Sequence, residues 1–274
     1  MKRFLAAMIG LILALPASAS DAGSRPFTRS LANDLVLYAL MSSNAYADDD
    51  EKIYFPLEEL GWKKVDLKGE PVPAQANSYR PKTFVGDFFS NLQFDIWEDM
   101  HSNRTVIAFK GTKERIDWVT GNLMIGISIP YKSAKKHVRA YMNTHPERTV
   151  MVTGHSLGGG LALSVSAWEG VDAIVFNTSP RIFDGARNMN KPAQRLAVFQ
   201  EHDILQKIRR WYPKFLATIK PSDIVETRFD YAGRNTHRID LLAQGLLSCS
   251  TDPHLRAVAG ELKPSVPCYL PSSE

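Results

Sequence analysis

Hydrophobic and polar positions alternate along this chain with two different periods. Apolar residues recur at helical spacing over residues 30–46, 131–145, 158–168 and 238–247. Short apolar or β-branched runs predict strands over residues 92–98, 105–110, 149–153, 173–177, 195–199 and 225–229, the last as an edge strand. Strands therefore alternate with helices, which predicts an α/β protein with a largely parallel central sheet flanked by helices.

The first residues have the pattern of an export signal. Lys2 and Arg3 precede an uncharged apolar run over residues 4–15, and small residues of the A-x-A type follow. A membrane-spanning helix needs about 20 apolar residues, so this run is too short to span. The sequence predicts a signal peptide over residues 1–19 and a single mature domain over 20–274. The mature protein is then expected in the periplasm or outside the cell.

Composition and charge narrow the class of protein. The chain has 274 residues, of which 44% are hydrophobic and 23% charged, a balance that excludes a disordered or low-complexity protein. The formal charge is 33 − 29 = +4, and it falls to +2 once Lys2 and Arg3 are removed with the signal. A charge this small, without interleaved basic and aromatic residues, predicts no binding of nucleic acid.

Cys249 and Cys268 are the two cysteines, and both lie in the exported part of the chain. In an oxidising compartment they favour a disulfide over two buried free thiols. Neither has the neighbours of a nucleophile, and the spacing of His, Cys and carboxylate residues matches no zinc site. We therefore predict no metal and no cofactor.

A nucleophile motif stands between a predicted strand and a predicted helix. Gly154, Ser156 and Gly158 form G-x-S-x-G, in which a sharp turn lifts the serine above the sheet. Side chains at the two glycine positions would collide where helix meets strand. The motif alone is common, but an apolar strand before it and a small-residue helix after it indicate a nucleophile elbow.

A serine needs a base, and the base needs an orienting carboxylate. In this fold the order along the chain is serine, acid, histidine. For the acid, Asp203 directly follows a predicted strand and is favoured over Asp184. For the base, His237 in a polar loop is favoured over His254 in the tail.

An oxyanion hole requires backbone N–H donors. One is expected from Leu157, the residue after the nucleophile. The second is expected from the turn after the predicted strand 105–110, where Gly111 permits a tight turn and Thr112 offers its N–H.

These segments together resemble the class 3 lipase family. The resemblance covers most of the mature chain in the family's order, in the strings ALMSSNAYAD, VIAFKGTKERIDWVTGNL, GHSLGGGLA, FQEHDIL and THRIDLLAQGL. It implies an α/β-hydrolase fold with Ser156 as nucleophile, Asp203 as acid, His237 as base, and Thr112 and Leu157 in the oxyanion hole. Two residues depart from the family pattern: a lysine replaces the usual arginine in the string FKGT, and a glycine replaces the usual alanine in GHSLGGG.

The same resemblance implies a lid over the active site. It would span residues 113–130, which are rich in apolar side chains, with Gly121 and Gly126 as candidate hinges. On opening, such a lid could contact a lipid surface and admit an acyl chain.

The expected function is that of an exported serine hydrolase of lipid esters, of the triacylglycerol lipase type. A phospholipase A is not separable from it by sequence, and a feruloyl-type esterase on the same scaffold stays open because function resides in the site rather than the fold. A non-catalytic hydrolase-fold module that binds lipid or a partner protein is the alternative from another class.

Overall fold

The structure is a computed structural model that describes residues 24–47, 53–81, 92–111, 129–179, 191–200, 203, 205, 224–229, 237–258 and 268. The predicted signal peptide and most of the predicted lid lie outside these residues. Within the described ranges, none of the helices combines the length and apolar character needed to cross a membrane.

Eight strands and five α-helices make up the described part of the chain. The strands are β1 (Ser24–Arg25), β2 (Trp62–Val65), β3 (Phe94–Asp99), β4 (Arg104–Phe109), β5 (Thr149–His155), β6 (Asp172–Phe176), β7 (Arg195–Gln200) and β8 (Val225–Phe229). The helices are α1 (Arg29–Asn44), α2 (Ile129–Thr144), α3 (Leu157–Glu169), α4 (Ile239–Cys249) and α5 (Pro253–Ala257). A short 3-10 turn covers Leu57–Leu60.

The strands form one sheet in the order β1-β8-β7-β6-β5-β4-β3-β2. The run from β4 through β8 to β1 is parallel, and β2, β3 and β4 pair in antiparallel fashion. The predicted largely parallel sheet flanked by helices is therefore confirmed. The carboxyl ends of the parallel strands share one edge, where ligand sites of such sheets lie.

The prediction that residues 225–229 form an edge strand is wrong. The strand β8 pairs on one side with β7 and on the other with β1, whose register sets Ser24 opposite Glu226. β1 is only two residues long, so its apolar pattern is too short to predict a strand. Pairing across about two hundred residues of sequence depends on where the chain enters the fold, not on local spacing.

Two buried clusters cover the two faces of the sheet. On one face α1 and α4 pack against alternate residues of the central strands, among them Val106, Ala108 and Val198. On the other face α2 and α3 pack against the intervening residues, such as Ile107 and Val152. Because successive strand residues point to opposite faces, the continuous apolar runs bury both faces of the sheet.

The helix boundaries agree with the predicted ones to within two residues at each end. α1 begins at Arg29 because Thr28 caps it, its side chain accepting from the Leu31 N–H at 3.1 Å. α2 begins at Ile129, so Ile129 and Pro130, predicted as the end of the lid, belong to this helix instead.

The predicted disulfide is present between Cys249 and Cys268. It ties the tail to the last residue of α4, and Cys249 is fully buried in the cluster beneath α1 and α4. The two cysteines are 19 residues apart, so the bond closes a loop of moderate length.

We expect the double substitution Cys249→Ala/Cys268→Ala to lower the free energy of unfolding by about 3 kcal/mol, because a cross-link of this span restricts the unfolded chain. Urea unfolding followed by circular dichroism measures the change. The matched control is the wild-type chain after reduction, which loses the cross-link without a change of sequence and is expected to behave like the double variant. An oxidised wild type no more stable than either would contradict the prediction.

Candidate active site

Ser156 lies in a sharp turn between the end of β5 and the start of α3. Its backbone angles are φ 56° and ψ −125°, a conformation that non-glycine residues rarely adopt. Two backbone hydrogen bonds to the end of β6 and the residues after it hold this conformation: the Ser156 N–H donates to the Phe176 carbonyl at 3.2 Å, and the Ser156 carbonyl accepts from the Ser179 N–H at 2.9 Å. The serine is thereby fixed at the carboxyl edge of the sheet.

The glycines on either side of the turn are required by close backbone contacts. A Cβ on Gly154 would lie 2.5 Å from the carbonyl carbon of Gly158 and 2.9 Å from the Phe109 oxygen. A Cβ on Gly158 would collide with the Phe109 carbonyl group. The structure thus gives the physical reason for both glycines of the motif, since β4, β5 and α3 meet here without room for a side chain.

His237 and Asp203 complete a chain of hydrogen bonds that starts at Ser156. Ser156 Oγ lies 3.0 Å from His237 Nε2, and His237 Nδ1 lies 2.6 Å from Asp203 Oδ2. A carboxylate only accepts hydrogen bonds, so Nδ1 carries the hydrogen and Nε2 is left to accept the serine proton. The Asp203 side chain is fully buried, whereas the His237 side chain is 19% exposed and so remains partly accessible to solvent.

Two neighbouring groups hold Asp203 in place. Its second oxygen, Oδ1, accepts from the Leu205 N–H at 3.0 Å, and its own N–H donates to the Gln200 carbonyl at 3.2 Å. Asn177, in the left-handed region at φ 41°, joins the ends of β6 and β7 because its side-chain oxygen accepts from the Gln200 N–H at 2.8 Å. Sequence reasoning did not single out Asn177, although asparagine tolerates this conformation better than most residues.

Gly111, which precedes the predicted donor Thr112, lies close to Leu157, the other predicted donor of the oxyanion hole. Leu157 opens α3, and the N–H groups of a first helical turn have no partner four residues earlier. A Cβ on Gly111 would lie 3.4 Å from the Leu157 nitrogen and 2.9 Å from the His155 oxygen, so the turn after β4 packs against the start of α3. Thr112, the other predicted donor, lies outside the described residues.

Tyr46 is hydrogen-bonded to the turn after β4. From the sequence it was interpreted only as a residue of the first helix. Its hydroxyl oxygen accepts from the Gly111 N–H at 2.8 Å. The hydroxyl also lies 3.4 Å from His155 Nδ1 and 3.5 Å from the His155 carbonyl oxygen. On its other side the His155 ring contacts the His237 ring, with 4.7 Å between centroids. The one signal in the sequence was a tyrosine just past the helix, which does not by itself indicate a contact with Gly111.

Lys110, which stands where the class 3 lipases often have arginine, is buried. Its Nζ lies over the Tyr46 ring, 5.4 Å from the centroid. Nearby, Lys64 Nζ lies 2.9 Å from Asp95 Oδ1 in a buried ion pair. Burial raises the pKa of the Asp95 carboxyl, and the charges of Lys64 and Lys110 oppose that shift. A cation is therefore retained beneath the Gly111 turn, without the two-pronged geometry that arginine would supply.

His254, the alternative base, is not brought to this site. His254 is exposed on α5, where its N–H donates to Asp252 at 2.8 Å. Asp184 lies outside the described residues. Among the residues that are described, none of the groups of His, Cys, Asp and Glu has an arrangement that could hold a metal ion.

Comparison with known proteins identifies the family of this chain. Residues 37–215 match the family model described as "Phospholipase-like: Tle-like phospholipase domain". The chain belongs to the Tle-like phospholipase domain family. The match includes Ser156 and Asp203 and ends before His237.

Solved structures of fungal lipases are similar to the domain, at low identity. The Lip2 lipase of Yarrowia lipolytica is 14% identical over 69% of this chain and 76% of its own, with a TM-score of 0.41. The Rhizomucor miehei lipase propeptide complex is 17% identical over 67% and 66%, with a TM-score of 0.45. A triacylglycerol lipase of Penicillium expansum is 14% identical over 78% and 84%, with a TM-score of 0.47. None of the curated proteins matches this Tle-like chain in sequence.

The family match tests two of the predictions made from the sequence. The predicted lipase-type α/β-hydrolase family and the predicted enzyme class are confirmed at the level of a lipase or phospholipase-like hydrolase. The roles of the individual site residues, the lipid class and the export of the Tle-like chain stay predictions.

Proposed function

We propose that this protein hydrolyses carboxylic esters of lipids through an acyl-enzyme on Ser156. The observation that carries the proposal is the continuous hydrogen-bond chain from Ser156 Oγ through His237 to Asp203, at 3.0 Å and 2.6 Å. In this assignment Ser156 is the nucleophile, His237 the general base and then general acid, and Asp203 the group that orients the histidine.

The reaction has two halves. In the first, His237 Nε2 takes the Ser156 proton while Oγ attacks the ester carbonyl carbon, and the resulting oxyanion is bound by the N–H groups of Leu157 and Thr112. Collapse of this intermediate expels the alcohol, which takes the proton from His237. In the second half His237 deprotonates a water that attacks the acyl-enzyme, and fatty acid leaves as Ser156 Oγ regains its proton. Ester and water are thus converted to acid and alcohol.

Among lipid classes, the family match favours glycerophospholipid as substrate. The preference for triacylglycerol, predicted from the sequence, is the second candidate. Both are carboxylic esters of glycerol, so the same Ser156 chemistry serves either, and the difference lies in what accommodates the third substituent of the glycerol.

We further infer that the protein is exported, to the periplasm or beyond. The disulfide between Cys249 and Cys268 supports this inference, because such bonds persist in oxidising compartments. The predicted signal over residues 1–19 is its sequence basis.

The test is fatty-acid release, measured side by side from a triacylglycerol emulsion and from phospholipid vesicles, with Ser156→Ala as the control. Release from the vesicles that the variant loses is the expected result. Release from the emulsion alone would instead support the triacylglycerol candidate. If correctly folded protein releases no fatty acid from either substrate, the proposal of a lipid-ester hydrolase is overturned.

Tyr46→Phe is expected to lower kcat about fivefold with little change in KM, because the Gly111 N–H loses its acceptor and the oxyanion turn loses its support. Kinetics on a soluble ester such as p-nitrophenyl butyrate measure the change. Tyr38→Phe is the matched control: it removes the same atom on α1, where the hydroxyl donates to Met151 Sδ away from Ser156. Equal kcat in the two variants would contradict the role given to Tyr46.

A further inference from the structure

α2 is a basic helix. α2 carries Lys132, Lys135, Lys136 and Arg139, and Ile129–Thr144 contains no acidic residue. The 16 residues of α2 therefore carry four positive charges and no negative charge.

Two of the four cations have partners on α3. Arg139 forms a two-pronged ion pair with Glu169, at 2.9 Å and 3.0 Å, and Lys135 Nζ lies 5.0 Å from the centroid of the Trp168 ring. Lys132 and Lys136 are exposed, and neither is ion-paired with a carboxylate in the described parts of the chain. These two lysines are named the basic stripe.

The basic stripe begins at the edge of the sheet where Ser156 lies. α2 connects β4 to β5, which are parallel, so it runs from the carboxyl edge of the sheet back to the amino edge. Lys132 is in its first turn and Lys136 one turn further. Ile129, at the very start of the helix, is 40% exposed and lies on the same helical face, three residues before Lys132.

The opposite face of α2 is fixed against the sheet. Tyr131, Ala134, Val138 and Tyr141 are buried in the cluster that also contains α3. The stripe is therefore held on a packed helix and faces outward, with an apolar side chain at the end nearest the catalytic edge. Two exposed cations that follow an exposed apolar residue on one helical face match the boundary of an anionic lipid surface, where headgroups are charged and acyl chains begin.

We propose that the basic stripe binds the headgroups of anionic phospholipids and thereby turns the Ser156 edge of the sheet toward the lipid surface. This inference rests on the proposed function, since it names the surface on which that function operates. Each lysine near such a surface contributes about a fivefold gain in binding, so the two together contribute roughly 30-fold at low salt. The gain falls as salt rises, because the Debye length shortens to about 8 Å at physiological ionic strength.

The experiment is co-sedimentation with vesicles, using the Ser156→Ala chain so that the lipids stay intact. One set of vesicles contains phosphatidylcholine alone, and the other contains phosphatidylcholine with phosphatidylglycerol. Lys132→Gln/Lys136→Gln is expected to weaken binding to the anionic vesicles roughly 30-fold and to flatten the salt dependence. Lys68→Gln/Lys191→Gln is the matched control: both lysines are exposed and lie at the opposite edge of the sheet, beside the ends of α2 and α3.

Three results would overturn the inference. The first is equal binding of the Ser156→Ala chain with and without the stripe substitutions to anionic vesicles. The second is an equal loss in the control pair, which would show a general charge effect. The third is binding of the Ser156→Ala chain that does not depend on phosphatidylglycerol, which would leave an acidic protein as the partner of the stripe. Because binding is measured without turnover, failure of the proposed function would show separately, as a wild-type chain that binds vesicles and releases no fatty acid.

Discussion

Ser156→Ala is expected to lower kcat by about a million-fold on any ester the protein hydrolyses. The reason is that Ser156 Oγ is the only atom in the hydrogen-bond chain with His237 and Asp203 that can form the acyl-enzyme. Removing one member of such a unit removes the action of all three, so the remaining rate would come from substrate binding and the oxyanion donors alone. Titration of released acid under substrate saturation measures the effect.

Labelling with a fluorophosphonate distinguishes a catalytic serine from a protein that only binds lipid. Wild type is expected to be labelled once per chain, and Ser156→Ala not at all. Ser248→Ala serves as control, since the Ser248 hydroxyl donates within α4 to the Gln244 carbonyl at 3.0 Å, far along the chain from the elbow. Folded wild type that resists labelling would favour the non-catalytic module that binds lipid or a partner protein.

Asp203→Asn is expected to lower kcat roughly ten-thousand-fold while the fold is kept. The amide has almost the shape of the carboxylate, but it can present an N–H to His237 Nδ1. The histidine then carries its hydrogen on Nε2, so it can no longer take the proton of Ser156, which lies 3.0 Å away. A steady-state measurement of kcat, with thermal unfolding to check the fold, tests the effect.

Asp252→Asn is the matched control for this substitution. Asp252 caps α5 by accepting from the His254 N–H at 2.8 Å, and asparagine caps helices equally well. Wild-type kcat is expected in this variant. If Asp203→Asn kept more than about a hundredth of the wild-type kcat, the orienting role of Asp203 would be wrong. Asp184, the alternative acid in the sequence, would then be the next residue to test.

The lysine at position 110 shows how a substitution in a family pattern is resolved by packing. In the sequence, Lys110 keeps the positive charge of the arginine that is usual in the class 3 lipases, but it lacks the planar, two-pronged geometry of arginine. In the structure its Nζ lies over the Tyr46 ring, and its charge opposes the rise that burial causes in the pKa of Asp95, the partner of Lys64. Tyr46, Lys64 and Asp95 are all at least fifteen residues away from Lys110 in sequence, so no local pattern predicts these interactions.

The order of the elements was predictable because it depends on local periodicity. The helix at 29–44 begins with buried residues at helical spacing, the helix at 157–169 is buried along almost its whole length, and β4 through β7 are apolar runs buried on both faces. Such patterns express short-range physics: 3.6-residue spacing for helices and two-residue spacing for strands. The strand β1 was missed because two residues cannot display a period.

The sequence by itself determined the elbow at Ser156, since the need for glycine at 154 and 158 is a steric consequence of any strand-turn-helix path at that point. It also narrowed the acid and the base to Asp203 or Asp184 and to His237 or His254. Only the tertiary structure brought His237 to Ser156 across 81 residues, and placed Tyr46 against Gly111 across 65. These contacts depend on strand order and helix packing, because the free energy that forms them comes from burying whole faces of the sheet and not from the residues that meet there.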